Sequence, residues 1–455
     1  MSSKASGHTR PPSVEAVLRR LRPSVDGADA AALTAVVRGV IDDERDRIRE
    51  GGAPRDPGAL ADTARGLIDA FEGAGIPPVI NATGVIVHTN LGRAPWPASV
   101  VRAVADRATD YALLEIDPAT GRRGPRARIA EDHLVALTGA EDSLITNNNA
   151  AAVALAVGLA GRSGVVVSRG ELVEIGGGVR IPEIIRRAGA RLIEVGTTNR
   201  TRTVDFEAPL AEGRAKAVLR VHPSNFAMTG FTESPDPAAV AELAHRHGAI
   251  VIDDLGSGAL LDTAAYGLTH EPMPGERLAA GSDVVSFSGD KLVGGPQAGL
   301  VVGRAELIAR MRRDPLARAM RPDKVTLAGV ALTLGLYRAG RAAVDIPVWR
   351  MISTPLDELR ERAVAITDAL GTRAAIVELS STVGGGSLPG ETLPSLGVAL
   401  QGGSATKLLA ALRQGSPAVI GRIEDRRVVL DLRTVDPASD QALVRAVGSV
   451  LGADA

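Results

Sequence analysis

The 455-residue sequence contains no cysteine. This absence excludes disulfides, cysteine-ligated zinc, iron–sulfur clusters and thiol nucleophiles. Any sulfur or selenium chemistry must therefore take its chalcogen from a small donor molecule, because no thiol is present to carry a persulfide. No pair of histidines has the spacing of metal ligands either, so we predict no metal site.

Aromatic residues, excess charge and long apolar runs are scarce as well. Phe, Trp and Tyr make up 2% of the residues, and the formal net charge is -1 at pH 7. The core must therefore be built from Ala, Val, Leu and Ile, and no general positive field indicates a nucleic-acid partner. The longest apolar run, residues 150–161, is too short to cross a bilayer, and the first residues lack the apolar segment of a secretory signal. We therefore expect a cytoplasmic protein.

The first predicted domain, residues 1–75, is helical. Apolar residues recur at helical spacing in 14–18, 33–41 and 59–71, and prolines and glycines separate these stretches. Charges of both signs are mixed along it. The sequence leaves two roles open: a solvated cap or oligomerisation element, or an RNA-binding unit, which makes this domain a candidate for binding tRNA.

Beyond this domain, short β-rich runs alternate with helical segments, which predicts an α/β fold. The runs 165–167, 217–219 and 250–252 are continuously apolar, as expected of parallel strands that helices cover on both faces. A fourth β-rich run occupies 284–287.

We predict a large domain over residues 76–325 and a smaller α/β domain over residues 326–455. A long helical stretch, 325–343, marks the transition between them. Short β-rich runs such as 428–432 follow it and give the last region its α/β character.

The candidate catalytic lysine is Lys291, which follows the run 284–287. Small residues and glycines flank it, and Ser286 and Ser288 stand shortly upstream, where their hydroxyls could donate to a phosphate. A lysine at a strand end can lie in a closed pocket, where desolvation and a nearby cation lower its pKa enough for imine chemistry. A Ser-x-x-Lys motif alone is more typical of a surface turn, so the assignment depends on its surroundings.

Two carboxylates, Asp253 and Asp254, end the apolar run 250–252. A protonated pyridine ring needs an anionic partner, and a carboxylate at the C-terminal end of a strand lies where open α/β sheets bind ligands. We favour Asp254 because it is nearer to the Gly-Ser-Gly turn at 256–258. A helix cap or a metal carboxylate is the alternative role for either aspartate.

Three asparagines, Asn147, Asn148 and Asn149, precede an alanine-rich helical segment. Such a capped helix presents free N–H groups and a positive dipole end to a phosphate dianion, although taken alone it is only a well-capped helix. The order of capped helix, strand-end aspartate and strand-end lysine is the pattern of fold-type-I pyridoxal-phosphate enzymes. We therefore predict pyridoxal 5′-phosphate as the cofactor.

Several long stretches of unusual composition carry a family resemblance across nearly the whole chain. They are residues 80–93, 147–149, 168–177, 196–201, 222–226, 230–232, 254–258, 286–297 and 384–390. On these stretches the chain resembles the bacterial selenocysteine synthases, the L-seryl-tRNA(Sec) selenium transferases. The resemblance implies a fold-type-I transferase with a mostly parallel sheet between helices, a small helical N-terminal domain and a smaller α/β C-terminal domain.

The resemblance also implies roles for individual residues. Lys291 would bind the cofactor covalently, and Arg93, Arg318 and Arg321 would bind the selenophosphate donor. Arginine suits that role because its planar guanidinium pairs with two phosphate oxygens at once.

Further polar residues are candidates on weaker grounds. Asn225, which follows a strand together with His222, could donate to the 3′-oxygen of the cofactor, and a structural role in its turn is the alternative. Arg169, Glu171 and Glu174 lie in a loop of one matching stretch, and we assign them no role.

The implied reaction converts L-seryl-tRNA(Sec) to L-selenocysteinyl-tRNA(Sec). Lys291 removes the α-proton while Asp254 keeps the cofactor ring cationic, and β-elimination gives a dehydroalanyl intermediate to which selenium from selenophosphate adds. The implied partners are seryl-tRNA(Sec), selenophosphate and further copies of the chain, as a homodimer at least and as a ring of dimers by the resemblance.

Three other functions are compatible with parts of the sequence. A pyridoxal-phosphate lyase or ammonia-lyase acting on a small phosphorylated amino compound is the main alternative, and residues 1–75 argue against it because similar lyases lack such a unit. A dinucleotide-dependent oxidoreductase is rejected, since the Gly-Ser-Gly turn at 256–258 lacks the third glycine of the fingerprint. An inactive tRNA-binding scaffold is disfavoured by the intact Lys291 and Asp254.

Overall fold

The computed structural model describes residues 10–25, 29–72, 76–175 and 178–452. The chain forms two compact units, which divide between Val79 and Ile80. Parts of the predicted 1–75 domain, and Gly176 and Gly177 of the 168–177 stretch, lie outside the described residues.

The described part of the first unit contains three helices in the stretches with predicted helical spacing. They are α1 (Val14–Leu21), α2 (Ala30–Arg49) and α3 (Pro57–Glu72). Ser13 and Asp29 cap the first two, since their side-chain oxygens accept hydrogen bonds from backbone N–H groups of the first turn. Val17, Val37 and Leu60 are fully buried in one apolar cluster that joins the three helices.

The first unit also buries a carboxylate, that of Glu44 on α2. It accepts hydrogen bonds from Nε of Arg47 at 2.9 Å and from both the backbone N–H and Nε of Arg55 at 2.8 Å. The bonds from Arg47, followed by those from Arg55, hold the pKa of Glu44 at about 2, although burial acts in the opposite direction. The acceptor sites of this buried charge are therefore filled by cations of the same unit.

The second unit begins within strand β1. Its strands are β1 (Val79–Asn81), β2 (Val85–Val87), β3 (Asp142–Thr146), β4 (Gly164–Ser168), β5 (Glu174–Ile175), β6 (Val179–Arg180), β7 (Arg191–Val195), β8 (Ala215–Val221), β9 (Ile250–Gly256), β10 (Val284–Ser288), β11 (Gly299–Gly303), β12 (Ala374–Gly384), β13 (Thr392–Leu400), β14 (Ala418–Ile420), β15 (Arg422–Glu424) and β16 (Arg427–Asp431).

Helices cover these strands. They are α4 (Ala98–Ala108), α5 (Arg128–Thr138), α6 (Asn149–Gly158), α7 (Ile181–Arg187), α8 (Glu207–Ala211), α9 (Pro237–Arg246), α10 (Pro274–Ala279), α11 (Ala305–Arg313), α12 (Pro315–Ala319), α13 (Lys324–Arg338), α14 (Ala342–Asp345), α15 (Pro347–Ser353), α16 (Leu356–Leu370), α17 (Ala405–Gln414) and α18 (Asp440–Val450). Over the described ranges, no helix has both the length and the apolar character needed to span a membrane.

The larger sheet has the strand order β3-β11-β10-β9-β8-β4-β7 among the described residues. Only β11 runs antiparallel to its neighbours there, and the other pairs are parallel. Val167 and Ile252 pack in a cluster with α6 and α11, whereas Val166 and Val251 pack on the opposite face with α8 and α9. This arrangement confirms the predicted α/β fold with a mostly parallel sheet between helices. Because helices bury both faces of the strands, the strand sequences are continuous apolar runs.

The smaller sheet has the order β15-β16-β13-β12-β2 in the described chain. Its pairs are antiparallel except that β2 lies parallel to β12, with Val85 opposite Thr382 and Val87 opposite Gly384. Helices α16, α17 and α18 pack on this sheet through buried leucines and valines. A strand from the start of the second unit, β2, therefore belongs to a sheet whose other strands come from the C-terminal part of that unit. The predicted boundary between a large domain and a smaller C-terminal domain at residue 326 stays a prediction.

Candidate active site

A cavity lies at the edge of the larger sheet, where β8, β9 and β10 end. Because parallel strands end at the same edge, residues that are far apart in sequence meet there. The titratable residues of its described lining are Arg93, His222, Asp254, Asp290 and Lys291.

Lys291 is buried in this cavity, with 7% of its surface exposed. Burial lowers the pKa of its ammonium and is the largest influence; the carboxylate of Asp254 opposes it, and the guanidinium of Arg93 acts in the same direction as burial. A lowered pKa increases the fraction of neutral amine at neutral pH, which is the form that attacks an aldehyde. The lysine thus has the environment that imine chemistry requires.

One glycine, Gly386, makes room for the lysine, and a second, Gly256, lies at contact distance from it. Gly256 has φ 66° and Gly386 has φ 82°, both in the left-handed region that favours glycine. A Cβ on Gly386 would overlap Nζ of Lys291, and one on Gly256 would lie 3.5 Å from the same atom. The loop after β12 therefore approaches the lysine so closely that a side chain there would displace it.

Asp254 lies on β9, is buried, and faces the cavity. Its Oδ1 accepts a hydrogen bond from Nδ2 of Asn149 at 2.8 Å and a longer one from Oγ of Ser286 at 3.4 Å. Burial raises the pKa of this carboxyl, and the hydrogen bond from Asn149, the charge of Lys291 and the hydrogen bond from Ser286 only partly offset that effect. The neighbouring Asp253 accepts from Oγ of Ser282 at 2.7 Å and is absent from the described lining, as expected from the alternation of side chains along a strand.

The three predicted asparagines have three different environments. Asn148 is the N-cap of α6 and accepts a hydrogen bond from the N–H of Ala151 at 2.9 Å. Asn149 lines the cavity and positions Asp254, while Asn147 is exposed and is not in the described lining. The structure therefore brings two of the three to the cavity.

The predicted serines also differ. Ser288 and Asn225 line the cavity, where both are available to a ligand. Ser286 instead donates to Asp254, so its hydroxyl supports the carboxylate.

Arg93 lines the same cavity and is fixed by an ion pair. Its Nη1 lies 2.8 Å from Oδ2 of Asp290, and the N–H of Ala94 donates to the Asp290 carbonyl at 3.1 Å. Arg93 has φ 63°, which is unusual for a residue with a side chain. No role was predicted for Asp290, because nothing near it in the sequence shows that it pairs with a residue 197 positions away.

Arg318 and Arg321 lie elsewhere, in a second cavity that we call the arginine cavity. Its described lining includes Glu115, Arg126, Arg318 and Arg321, and it shares no residue with the lining of the lysine cavity. Nη2 of Arg321 lies 2.5 Å from Oε1 of Glu115, which Nη1 of Arg126 also contacts at 3.0 Å. Within one chain, the structure does not place these two arginines beside Arg93.

The arginine cavity adjoins an exposed apolar groove between α4, α5 and α13. Both linings include residues 124–127, and the groove is lined by Leu113, Ile116 and Ile129, which are 68%, 52% and 69% exposed. Contiguous apolar surface of this kind marks an interaction site.

The three residues without a predicted role are arranged as follows. Glu171 accepts a hydrogen bond from the N–H of Val221 at 3.3 Å, lies 3.6 Å from Nη2 of Arg220, and burial raises its pKa to about 7. Glu174 pairs with Arg180 at 2.7 Å and Arg169 with Glu194 at 3.2 Å, both on the surface. None of the three is in the described lining of the lysine cavity.

The lysine cavity fits pyridoxal 5′-phosphate. Lys291 offers an amine to the aldehyde of the cofactor. Asp254, which accepts hydrogen bonds from neutral donors, offers its buried carboxylate to a protonated ring nitrogen. The buried Oδ1 of Asn149 has no hydrogen-bond partner in the described chain, which leaves it free for a polar ligand. The first turn of α6 and the hydroxyl of Ser288 are suited to a phosphate.

Comparisons with known protein sequences match this chain to one enzyme family. A family model described as "SelA: L-seryl-tRNA selenium transferase" matches residues 79–436. The L-seryl-tRNA(Sec) selenium transferase of Carboxydothermus hydrogenoformans is 43% identical over 439 residues, which cover 93% of both chains. The protein of the same name from Moorella thermoacetica is 44% identical, over 92% of this chain and 91% of that one. The one from Methylocella silvestris is 41% identical over the full length of both.

Among solved structures, a D-glucosaminate-6-phosphate ammonia-lyase is similar, with a TM-score of 0.60. The similarity covers 84% of this chain and 98% of that one at 23% sequence identity, and it shows that the two share a fold.

Proposed function

Since the chain belongs to the L-seryl-tRNA(Sec) selenium transferase family, we propose that it converts L-seryl-tRNA(Sec) to L-selenocysteinyl-tRNA(Sec) with selenophosphate as the selenium donor. The observation that carries this proposal is the buried Lys291 beside the buried Asp254, in a chain related to these enzymes over nearly its whole length. Bound pyridoxal 5′-phosphate supplies an aldehyde for Lys291 and a ring that withdraws electrons from Cα of the serine.

Each residue of the lysine cavity has a defined task in this proposal. Lys291 would hold the aldehyde of the bound cofactor, and its amine, once freed by the serine substrate, would remove the Cα proton. Asp254 holds the proton on the ring nitrogen, and Asn149 keeps the carboxylate in place through its 2.8 Å hydrogen bond. The N-terminus of α6, with Ser288, binds the cofactor phosphate, and Asn225 donates to the 3′-oxygen.

The proposal is tested by incubating the chain with seryl-tRNA(Sec), selenophosphate and the cofactor, and by identifying the amino acid on the tRNA. We expect selenocysteine, together with an absorbance band that Lys291→Ala lacks. Lys291→Ala should show no turnover above the assay background, because no other described lysine lines the cavity. Release of ammonia from a small phosphorylated amino compound, with seryl-tRNA(Sec) unchanged, would support the lyase alternative instead.

We further propose that the chain acts as a homo-oligomer, at least a dimer, in which Arg318 and Arg321 of one protomer complete the selenophosphate site around Arg93 of its partner. Two observations support this arrangement. The arginine cavity and the lysine cavity share no lining residue within one chain, and the arginine cavity borders the exposed apolar groove. Burial of that groove between protomers would remove apolar surface from water and bring the arginines to an interface.

Complementation between inactive variants tests the shared site. Lys291→Ala co-assembled with the double variant Arg318→Ala/Arg321→Ala should regain activity that neither has alone, because one interface then holds an intact lysine and intact arginines. The matched control pairs Lys291→Ala with Arg93→Ala, which should stay inactive, since both residues serve the same protomer's cavity. Recovery in both pairs, or in neither, contradicts the arrangement.

A further inference from the structure

A second pair borders the lysine cavity, formed by the half-buried His222 and the buried Glu271. Nε2 of His222 lies 3.2 Å from Oε1 of Glu271, whose side chain is only 3% exposed. This oxygen forms no hydrogen bond with the described residues, so the imidazole is the polar group that faces it by distance and charge. His222 itself lines the lysine cavity, directly after β8. The pair therefore connects the wall of the cavity to a carboxylate behind it.

The backbone fixes the histidine in this place. Its N–H donates to the carbonyl of Asp254 at 2.8 Å, and its own carbonyl accepts from the N–H of Ser224 at 2.8 Å. The N–H of Glu271 donates to Oγ1 of Thr263 at 2.8 Å, which holds the carboxylate loop. No hydrogen bond to Nδ1 of His222 is formed by the described residues, so this nitrogen is free to act on a ligand.

The proposed reaction requires an acid at this position. Hydroxide leaves Cβ of serine poorly unless the oxygen is protonated as the bond breaks. Of the titratable residues in the described lining, Lys291 receives the Cα proton, arginine does not release its proton, and Asp290 is paired with Arg93. Asp254 is held by Asn149 and Ser286 and is reserved for the ring nitrogen. His222 is the titratable group that remains.

Resting on the proposed function, we infer that His222 is the general acid that protonates the departing hydroxyl group, and that Glu271 is a positioning residue that orients the imidazole. The Cβ–O bond breaks and its electron pair takes a proton from the imidazolium, which releases water. The electrons of the Cα–H bond, whose proton has passed to Lys291, form the Cα–Cβ double bond. The neutral imidazole then takes the Se–H proton of selenophosphate as the Se–Cβ bond forms, and Lys291 returns its proton to Cα. Water then cleaves the Se–P bond, which releases phosphate and leaves the selenol of the product.

The test compares two leaving groups. Seryl-tRNA(Sec) needs an acid, whereas β-chloroalanyl-tRNA(Sec) releases chloride without one. For His222→Gln we expect turnover of the seryl substrate to fall about 10²–10⁴-fold, and turnover of the chloro substrate to fall less than about tenfold. Glu271→Gln should show the same selectivity with a smaller loss, and His270→Gln, on an exposed histidine in the same loop, should change neither substrate.

Each outcome bears on a different claim. Equal losses with both substrates, or no loss, would show that His222 only shapes the cavity and would overturn the inference. His222→Asn is the second variant if His222→Gln fails to bind the cofactor, as judged by its absorbance, and it carries the same expectation. Wild-type protein that leaves seryl-tRNA(Sec) unchanged contradicts the proposed function itself, whereas an active wild type with an unselective His222→Gln contradicts only the role of His222.

Discussion

Glu44 in the first unit and Asp254 in the second are both buried carboxylates, but their surroundings shift their pKa in opposite directions. Arg47 and Arg55 surround Glu44 and hold its pKa at about 2. Among the described residues, Asp254 accepts hydrogen bonds only from the neutral donors Asn149 and Ser286, and burial raises its pKa although the charge of Lys291 acts in the opposite direction. A carboxylate whose acceptor sites are filled by hydrogen bonds from cations of the chain supports the fold, whereas one that accepts only from neutral donors retains its capacity for the protonated ring nitrogen of a cofactor.

Asp254→Asn should show most clearly the difference between a carboxylate that serves the cofactor and one that supports the fold. Without the carboxylate the ring nitrogen loses its anionic partner, and we expect turnover to fall about 10²–10³-fold. The folded pKa of Asp254 lies above its unfolded value, so the ionised carboxyl destabilises the cofactor-free protein, and this penalty develops as pH rises from the unfolded pKa through the folded pKa. At neutral pH the asparagine removes it.

The measurements are turnover and the thermal midpoint of the cofactor-free protein. The midpoint of Asp254→Asn should equal or exceed that of the wild type. Asp253→Asn is the matched control, a buried aspartate on the same strand outside the described lining, and it should keep most of the activity. If Asp254→Asn is strongly destabilised but active, Asp254 supports the fold in the same way as Glu44, which contradicts the expectation.

Glu44→Gln should lower the stability of the protein rather than its turnover, and the effect should be smaller than that of Asp254→Asn. It leaves Arg47 and Arg55 without their charged acceptor, and we expect the first unit to lose about 2 kcal/mol of stability. The stabilisation by Glu44 is fully present above its unfolded pKa and is lost as pH falls through about 2, so the gap between variant and wild type should close in that acid range.

Thermal unfolding, tRNA(Sec) binding and cofactor absorbance together check this expectation. The sequence leaves an RNA-binding role open for the first unit. Under that role, Glu44→Gln should weaken tRNA binding at temperatures where the unit melts and leave cofactor uptake unchanged. Asp46→Asn, on the same helix in an exposed pair with Arg49, should have little effect on either. Unchanged tRNA binding by a melted first unit would assign that unit a different role.

Local patterns in the sequence predicted the structural features that depend on residues close together in the chain. The continuously apolar runs at 165–167, 217–219 and 250–252 lie in β4, β8 and β9, because strands buried on both faces must be apolar throughout. The β-rich run at 284–287 lies in β10. The capping role of an asparagine before α6 follows from the same kind of pattern, as does the placement of Lys291 after a buried strand.

Contacts between distant residues could not be predicted in this way. Nothing local marks β11 as antiparallel, and nothing near Arg93 indicates its ion pair with Asp290. The direction of Ser286 toward Asp254 depends on the register of β10 against β9. The placement of Arg318 and Arg321 in a separate cavity depends on how α12 and the segment after it pack, which the three-residue spacing of the arginines does not specify.

The pairing of β2 with β12 sets an order of events during synthesis. The ribosome releases β2, and Arg93 close behind it, long before the strand that β2 pairs with has been translated. The loop that carries Gly386 against Lys291 emerges just as late. A nascent chain can therefore form its larger sheet while the Gly386 loop beside the lysine is still missing, and this loop encloses the reactive amine only in the nearly finished polypeptide.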